Sequence, residues 1–480
     1  MQDVLNTIDG RQVAAISGEW LDDVDPAIGE TYARVASSDA RDVETAVAAA
    51  VRAFPSWSRT PAPERSRALR RLARLIERDL EKLARAESVD SGKPLTAART
   101  IDIPRAVQNF DFFADAATQF ASEAHPTDET ALNYTLRQPL GAVACISPWN
   151  LPLYLLTWKI APALAAGNCV VAKPSEVTPM TASMLGELSI EAGLPPGALN
   201  LVHGLGPRAG APLCADLQVK AISFTGSTRV GNEIAREAAS SFKKVSLEMG
   251  GKNPTLIFAD ADLRSAIPET VRAAFSNTGQ ICLCGSRILI ERSVYARVRD
   301  ELVERVRALR IGDPLEPRTD QGALVSRQHF DKVMGCLQVA RDEGGRVLCG
   351  GVRARVEGRC SGGFFIEPTL IEGLGPACRT NQDEIFGPVA TLLPFDSEAE
   401  AIELANSTRY GLSASLWTRD LSRAHRASAA LHSGIVWVNC WMFRDLRTPF
   451  GGVKDSGVGR EGGMDAMRFF TEAKNVCVKL

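Results

Sequence analysis

Short, mainly apolar runs alternate with helical segments between residues 141 and 231, and this alternation limits what the chain can fold into more than any other feature. Each run lacks the polar alternation of a strand with one wet face, so it predicts a strand buried on both faces of a parallel sheet. The runs are residues 141–146, 169–172, 199–202 and 221–224. Helices are expected near residues 158–166 and 181–192, and from about Ser227 onward. The pattern predicts an α/β fold with a doubly wound, Rossmann-like sheet.

Further segments complete this outline. Residues 63–87 predict one long amphipathic helix, because leucine or isoleucine recurs every three or four positions. Residues 100–117 also predict a helix, residues 130–139 alternate as a strand does, and residues 252–450 form a second α/β segment. Residues 151–172 are as apolar as a membrane span, but Lys159, Pro162 and Asn168 interrupt them. A buried helix followed by a strand is expected there.

Composition narrows the class of protein. A chain of 480 residues with 45% hydrophobic content is long enough for two or three structural units. The formal net charge of −2 offers no basic field to nucleic acid and no polybasic segment to a membrane surface, so neither partner is expected. The 11 cysteines are scattered without a C-x-x-C pair, which argues against a disulfide framework and against a metal site. With no signal-peptide pattern at the N-terminus, a cytoplasmic location is expected.

A cysteine and a glutamate stand out as reactive groups. Cys282 lies among small, polar and glycine residues, and a nucleophilic thiol needs access and nearby donors more than apolar packing. Glu248 lies between Leu247 and Met249, where partial desolvation would tune it as a general base. A solvent-facing glutamate at a strand end is the alternative. Cys284 is the second choice of thiol.

Two features of the first sheet indicate a dinucleotide. The G-x-x-x-x-G pattern from Gly226 to Gly231 lies between a strand and a helix, where free backbone N–H groups and a helix N-terminus favour a pyrophosphate. A plain helix N-cap at Ser227 is the alternative. Lys173 and Glu176 follow another strand, at the edge where open α/β sheets bind ligands. This Lys–Glu pair is suited to the hydroxyls of an adenosine ribose.

Seven motifs together resemble the NAD(P)-dependent aldehyde dehydrogenases, in the same order and from about residue 15 to the C-terminus. They are Pro148-Trp149-Asn150, Lys173-Pro174-Ser175-Glu176, Phe224-Thr225-Gly226-Ser227-Thr228, Leu247-Glu248-Met249-Gly250-Gly251, Gly279-Gln280-Ile281-Cys282, Glu384-Ile385-Phe386-Gly387-Pro388 and Pro449-Phe450-Gly451-Gly452. The resemblance implies a nucleophile at Cys282, a base at Glu248 and an oxyanion donor at Asn150, with Glu461 as an alternative base. It also implies NAD as cofactor.

The same resemblance implies contacts for the cofactor and the substrate. The cofactor contacts are Ile146, Pro148, Trp149, Lys173, Ser175, Glu176, Phe224, Gly226, Ser227, Val230, Leu247, Gly250, Glu384 and Phe386. The substrate contacts are Arg105, Trp158, Arg444 and Phe450. Glu384 is expected at the nicotinamide ribose. None of the five histidines lies in these motifs, so a Cys–His dyad is not supported.

The implied architecture has three parts. An NAD-binding domain comprises residues 1–117 and 139–249, a catalytic domain comprises residues 250–449, and a small β oligomerisation arm comprises residues 118–138 and 466–480. We expect a homo-oligomer, dimer or tetramer, because strand edges at residues 130–139 and 475–480 would invite pairing between chains.

The substrate hypothesis rests on residues 439–450, which resemble the 2-hydroxymuconic and 2-aminomuconic semialdehyde dehydrogenases of aromatic ring cleavage. Met442-Phe443 departs from the tyrosine–leucine pairing of that subfamily. Arg105 and Arg444 are expected to clamp a substrate carboxylate, with Arg447 paired to Asp445 instead. The alternatives are a general or betaine-type aldehyde dehydrogenase, a CoA-acylating enzyme and a non-catalytic homologue. Glu248 argues against the CoA-acylating enzyme, because a base for hydrolysis would compete with transfer to CoA.

Overall fold

The computed structural model describes residues 2–479 and contains two large, mainly parallel sheets. In the first sheet, five parallel strands lie side by side. Their spatial order is Leu199–Leu201, Cys169–Lys173, Ala142–Ile146, Val219–Thr225 and Lys244–Glu248. Numbered along the chain, this order is 3-2-1-4-5, the arrangement of doubly wound sheets that hold dinucleotides at the break between strands 1 and 4. The four buried runs read from the sequence are therefore confirmed as parallel strands.

Antiparallel strands and helices complete this unit. Gly457–Val458 extends one edge of the sheet, and Asn6–Ile8 followed by Arg11–Val13 extends the other. The larger helices are Ala40–Trp57, Ala62–Arg78, Leu80–Ser91, Ile103–Gln119, Pro152–Ala165, Met180–Glu191, Thr228–Ala239 and Gly463–Phe469. Shorter turns lie at Leu95–Ala97, Ala98–Asp102, Gly206–Gly210 and Ala211–Ala215. A separate three-stranded sheet consists of Gln2–Val4, Glu30–Ala36 and Trp20–Asp25.

Helix Pro152–Ala165 is buried along its whole length, as expected for residues 151–172, and the strand Cys169–Lys173 follows it. Within residues 2–479, no helix has both the length and the apolar character needed to cross a membrane.

Two helix boundaries differ from the sequence prediction. The single helix expected over residues 63–87 is wrong, because the chain breaks at Asp79 into helices Ala62–Arg78 and Leu80–Ser91. The leucine spacing continues across this break, so periodicity alone did not reveal it. Residues 100–117 are helical as predicted, but they begin in a π-helical turn, Ala98–Asp102, before the regular helix Ile103–Gln119.

The second sheet carries the other α/β segment. Its strands, in spatial order, are Arg346–Cys349, Thr369–Glu372, Val389–Phe395, Arg287–Glu291, Pro254–Ile257, Ser413–Trp417 and Ile435–Val438. All neighbours are parallel except the first pair. The helices are Leu263–Phe275, Tyr295–Arg307, Arg327–Asp342, Arg379–Gln382, Glu398–Asn406 and Leu421–Ala430, with 3₁₀ turns at Ser276–Gly279, Arg292–Val294 and Gly358–Cys360. Tyr410–Gly411 pairs with Val453–Lys454 as a separate ribbon.

A three-stranded antiparallel arm combines two distant parts of the chain. Thr471–Lys479 pairs along its full length with Ala131–Pro139, which pairs in turn with Ala124–Thr127. The central strand is therefore Ala131–Pro139. The expectation of an exposed edge is wrong for residues 131–134, which are paired on both sides, whereas residues 135–139 form strand pairs only with Thr471–Lys479. The edges of the arm are Ala124–Thr127 and Thr471–Lys479, while Leu480 lies outside the described residues.

Candidate active site

Cys282 lies in a sharply turned connection between helix Leu263–Phe275 and strand Arg287–Glu291. Asn277 and Thr278 adopt left-handed backbone conformations, with φ of 52° and 56°. Such conformations are strained for residues other than glycine and occur often at functional sites. Gly279 continues the turn so close to another loop that a Cβ atom there would lie 2.0 Å from the Gly387 carbonyl oxygen. The surrounding backbone thus fixes the position of Cys282.

The surroundings of Cys282 are more apolar than the sequence suggested. Cys282 is half-buried and packs with a cluster that includes Ile281, Leu283 and Trp441. Burial raises the pKa of the Cys282 thiol, nearby carboxylates raise it further, and Arg444 partly opposes them. Apolar side chains from other segments thus surround Cys282 in addition to the small and polar residues next to it in the sequence. The neighbouring Cys284 is buried, and its Sγ contacts the Ser276 carbonyl oxygen at 3.8 Å.

The side-chain amide of Asn150 reaches the turn that carries Cys282. Its Nδ2 donates a hydrogen bond of 2.9 Å to the backbone oxygen of Gln280, and only 3% of the residue is exposed. An amide nitrogen carries two hydrogens, so this bond fixes the amide and uses one of them. The other hydrogen has no acceptor among residues 2–479.

Glu248 is the last residue of the parallel strand Lys244–Glu248 and is buried, with 3% exposure, so the solvent-facing alternative is wrong. Neither of its carboxylate oxygens makes a hydrogen bond with any residue between 2 and 479. Desolvation, followed by the charge of Glu461, raises the pKa of Glu248 well above its usual value, and Lys159 and two arginines oppose this. An unpartnered buried carboxyl of this kind is suited to proton transfer.

Glu461 has a different environment. Its Oε1 accepts hydrogen bonds from Lys159 Nζ at 2.5 Å and from Ser223 Oγ at 3.0 Å. Glu461 Oε1 is therefore occupied by two donors, whereas neither oxygen of Glu248 has a hydrogen-bond partner among residues 2–479.

The carboxyl edge of the first sheet forms a candidate binding surface for a dinucleotide. Lys173 Nζ donates to Glu176 Oε2 at 3.1 Å, which forms the expected pair. Ser147 follows strand 1 and Thr225 is the last residue of strand 4. Ser147 Oγ and Thr225 Oγ1 are buried and have no hydrogen-bond partner among residues 2–479. These two hydroxyls flank the break in strand order where such ligands bind. The remaining residues expected at the cofactor also border this edge, namely Ile146, Pro148, Trp149, Ser175, Phe224, Gly226, Val230, Leu247 and Gly250.

The fit of a dinucleotide is further supported by the turn after strand 4. Ser227 caps the helix Thr228–Ala239, accepting a hydrogen bond from the Val230 backbone N–H. The N-cap alternative is therefore correct for the hydroxyl, yet the N-terminus of this helix still faces the same edge and attracts negative charge.

Glu384 and Phe386 lie on a loop that approaches the glycines after Glu248. Glu384 Oε1 accepts a hydrogen bond of 2.9 Å from the Gly251 backbone N–H. A Cβ atom at Gly250 would lie 2.1 Å from Glu384 Oε2, so only glycine permits this approach. Phe386 has a left-handed backbone with φ of 61°, and its ring stands at 88° to the Trp149 ring at 5.2 Å. The loop thus borders one side of the candidate dinucleotide-binding surface.

Two arginines and three aromatic rings form a cluster between Phe450 and helix Pro152–Ala165. Arg444 Nη1 donates a hydrogen bond of 2.9 Å to the Tyr154 hydroxyl, and its guanidinium lies 4.2 Å from the Phe450 ring centre. Arg105 lies over the rings of Tyr154 and Trp158 at 5.3 and 5.4 Å. All four residues expected at the substrate are therefore brought together.

The cluster contains one residue that the sequence analysis missed. Tyr154 joins both arginines, and it lies one helical turn before Trp158, on the same face of the helix. The four-residue spacing between Tyr154 and Trp158 was the sequence signal that could have identified Tyr154 as a member of the cluster.

Charge in this cluster is unbalanced. Neither Arg105 nor Arg444 forms an ion pair with any Asp or Glu that the structure describes, and Arg105 Nη2 is buried without a hydrogen-bond partner. Burial lowers the pKa of Arg105, and the charge of Arg444 lowers it further. In contrast, Arg447 is exposed and pairs with Asp445 at 2.6 Å, as predicted. The cluster is therefore cationic and partly dry, and no acidic side chain within residues 2–479 pairs with it.

Comparison with known proteins gives a consistent result. The model of the aldehyde dehydrogenase family matches residues 13–476. The chain is 50% identical to 2-aminomuconic semialdehyde dehydrogenase of Danio rerio, with 99% of the chain and 98% of the relative covered. It is 46% identical to 2-hydroxymuconic semialdehyde dehydrogenase of Pseudomonas sp. (strain CF600), with 100% of both covered. Two crystal structures, one of PnpE from Pseudomonas sp. WBC-3 and one of PnpE in complex with nicotinamide adenine dinucleotide, each superimpose with a TM-score of 0.97 at 42% identity, covering 100% of this chain and 98% of the other.

Proposed function

The chain belongs to the aldehyde dehydrogenase family, and on that premise we propose that its substrate is a semialdehyde carrying a remote carboxylate. It is an NAD-dependent enzyme that oxidises an aldehyde to a carboxylic acid. The observation that carries the substrate proposal is the pair of partly buried guanidinium groups, Arg105 and Arg444, which have no acidic partner among the described residues. The names of the relatives agree with a muconate-type semialdehyde from aromatic ring cleavage.

A carboxylate would balance this charge. A planar guanidinium binds a carboxylate through two parallel N–H groups, and a charge-assisted hydrogen bond contributes about 1.5–3 kcal/mol. The Tyr154 hydroxyl orients Arg444. The rings of Trp158 and Phe450 keep the site partly dry, which strengthens the interaction. Binding energy at the acid end would hold the aldehyde end near Cys282.

In the first half of the proposed reaction, the Cys282 thiol loses its proton to a base and Sγ forms a bond to the aldehyde carbon. The carbonyl oxygen becomes an oxyanion, which accepts hydrogen bonds from the second Asn150 N–H and from the Cys282 backbone N–H. The chemistry that NAD⁺ supplies when bound is acceptance of the hydride from this carbon, which leaves a thioester on Cys282. Trp149, Glu384 and Phe386 border the space for the nicotinamide end.

In the second half, Glu248 takes a proton from water and the hydroxide attacks the thioester carbon. The C–S bond breaks, the acid leaves, and the Cys282 thiolate is reprotonated. This role suits a buried carboxyl whose pKa is raised, since it can accept a proton near neutral pH. Lys173 and Glu176 would hold the ribose hydroxyls at the adenosine end of NAD. Ser147 and Thr225 would contact the part of NAD between its adenosine and nicotinamide ends.

We also propose the domain division read from the sequence. Residues 1–117 and 139–249 would form the NAD-binding domain around the first sheet, and residues 250–449 the catalytic domain around the second. Residues 118–138 and 466–480 would form the arm.

The arm would join copies of the chain, because side chains on one of its faces are largely apolar. The apolar ones are Leu132, Tyr134, Leu136, Val476 and Val478, and the polar residues Gln138, Glu472 and Lys474 lie at one end of the same face. The free thiols among residues 2–479 suit a cytoplasmic location.

A substrate panel tests the proposal. Wild type should oxidise 2-hydroxymuconate semialdehyde with a higher kcat/KM than neutral aliphatic, aromatic or betaine aldehydes. Arg105→Ala and Arg444→Ala should lower kcat/KM for the carboxylate-bearing substrate by about tenfold or more, with smaller losses for neutral aldehydes. Arg447→Ala is the matched control, since it removes an exposed arginine of the same loop. Preference of wild type for neutral aldehydes, or equal loss on every substrate, would favour a general aldehyde dehydrogenase.

A further inference from the structure

A buried ionic cluster lies directly behind Asn150. Lys93 Nζ donates hydrogen bonds to Asp102 Oδ2 at 2.5 Å and to the backbone oxygen of Asn150 at 3.0 Å. Glu87 Oε1 lies 3.5 Å from the same nitrogen. The exposed fractions of Glu87, Lys93 and Asp102 are 0%, 1% and 3%, so solvent screens none of these charges.

The lysine remains charged in this setting. Burial alone lowers the pKa of Lys93, but Asp102 and Glu87 more than offset it, and the net shift is upward. A buried ion pair adds little net stability relative to apolar packing of the same volume. The geometry that it imposes on its neighbours is therefore the more informative property.

Three parts of the active site meet at this cluster. The Asn150 carbonyl is held from one side by Lys93 and from another by Asn277 Nδ2 at 3.0 Å, while the Asn150 amide reaches Gln280. Asp102 ends the π-helical turn Ala98–Asp102, three residues before Arg105. Glu87 Oε2 accepts from the Leu153 backbone N–H at 3.4 Å, next to Tyr154.

We infer that Lys93 is a positioning residue that holds Asn150 in register with Cys282. The inference rests on the proposed role of Asn150 as oxyanion donor. Lys93 itself touches neither substrate nor cofactor. Its ammonium fixes the peptide of Asn150 at the carbonyl, so that the free amide hydrogen points to one place, and small displacements of such a donor are costly.

The test is a double-mutant cycle on the rate of the NADH burst. We expect Lys93→Met and the charge-balanced Lys93→Met/Asp102→Asn to lower the burst rate by about 10- to 100-fold, with KM for NAD unchanged. In an Asn150→Ala background, Lys93→Met should cause less than about a twofold further loss, because the two residues act on one interaction. A merely structural lysine would give losses that multiply. Multiplied losses, or no loss from Lys93→Met, would overturn the inference.

The controls separate failure of the inference from failure of the proposed function. Lys243 is another buried lysine that donates to backbone carbonyls, those of Cys214 and Asp216, but at a distance from Asn150 in the chain and the fold. Lys243→Met should leave the burst rate within about twofold of wild type even if stability falls. If Asn150→Ala itself retains the wild-type rate, the proposed role of Asn150 fails. If both Lys93 variants misfold, Asp102→Asn is measured instead. It should lower the NADH burst rate by about threefold or more, and this loss should be absent in the Asn150→Ala background.

Discussion

Gly451 lies against the carboxylate of Glu248, so closely that a Cβ atom at position 451 would be 2.7 Å from Glu248 Oε1. This contact joins the end of a strand in the first sheet to a loop that follows the second sheet. A side chain at Gly451 would displace the carboxylate or the loop. The position of the proposed base is thus set by a residue that contributes no side chain of its own.

The first prediction concerns hydrolysis. Glu248→Ala should still give an NADH burst but should lower steady-state turnover by about 10²–10⁴-fold, because the base serves the second half of the reaction. Intact-protein mass spectrometry should detect the acyl adduct on Cys282. Glu461→Gln is the comparison for the alternative base and should not accumulate this adduct. Normal turnover by Glu248→Ala would assign the base to another group.

The second prediction is a pH dependence. Burial raises the pKa of Glu248, so its carboxyl keeps a proton to higher pH than an exposed glutamate does. The protonated form cannot accept a proton from water. Thioester hydrolysis should therefore rise as pH rises through this elevated pKa and then level off. Stopped-flow decay of a preformed acyl-enzyme measures it, and a flat profile for wild type, equal to that of Glu248→Gln, would contradict the assignment.

The third prediction separates the two neighbouring thiols. Cys282→Ala should lower dehydrogenase turnover by about 10³-fold or more, because no other group forms the thioester. Cys284→Ala should retain most activity, since the buried Cys284 Sγ has one hydrogen-bond partner among residues 2–479, the Ser276 carbonyl oxygen. Steady-state NADH formation by both variants is the measurement. Comparable losses in the two variants would argue against Cys282 as the nucleophile.

Much of this fold could be predicted because its signals are local. The four buried runs between residues 141 and 224 are mainly apolar, with Asn200 and Ser223 as the exceptions, and each forms a parallel strand. The break at Asp79 could not be predicted, since the leucine spacing is the same on both sides of it. The central place of Ala131–Pro139 in the arm depends on residues 471–479, far away in the sequence.

The site shows the same division between local and tertiary information. Motif order predicted Cys282, Glu248 and Asn150 as site residues because each lies in a distinctive local pattern. Tyr154 was missed because its significance depends on the approach of Arg105 and Arg444 from distant segments. The raised pKa of Cys282 was also missed, because its apolar neighbour Trp441 lies on another loop. Charge and packing between segments could not be obtained from spacing.

The fourth prediction concerns the cofactor. Glu176 accepts a hydrogen bond from Lys173 and would accept others from ribose hydroxyls, but it repels a 2′-phosphate. The kcat/KM for NAD should therefore exceed that for NADP by about tenfold or more. Glu176→Gln, which keeps the shape of the side chain and removes its charge, should narrow this ratio mainly by improving NADP. Equal efficiency of wild type with both cofactors would contradict the role of Glu176.

The fifth prediction concerns assembly through the arm. In the antiparallel pair Ala131–Pro139 and Thr471–Lys479, alternate side chains point to opposite faces, so Val478 shares an apolar face with Leu132 whereas Cys477 lies on the other face. A small sheet with an apolar face and open edges is suited to association with a second copy. Wild type should be a homo-oligomer by light scattering at micromolar concentration. Val478→Lys should shift it toward smaller species, and the matched variant Cys477→Lys, one residue away on the opposite face, should not. A monomeric wild type, or equal dissociation by both lysines, would exclude this face as the interface.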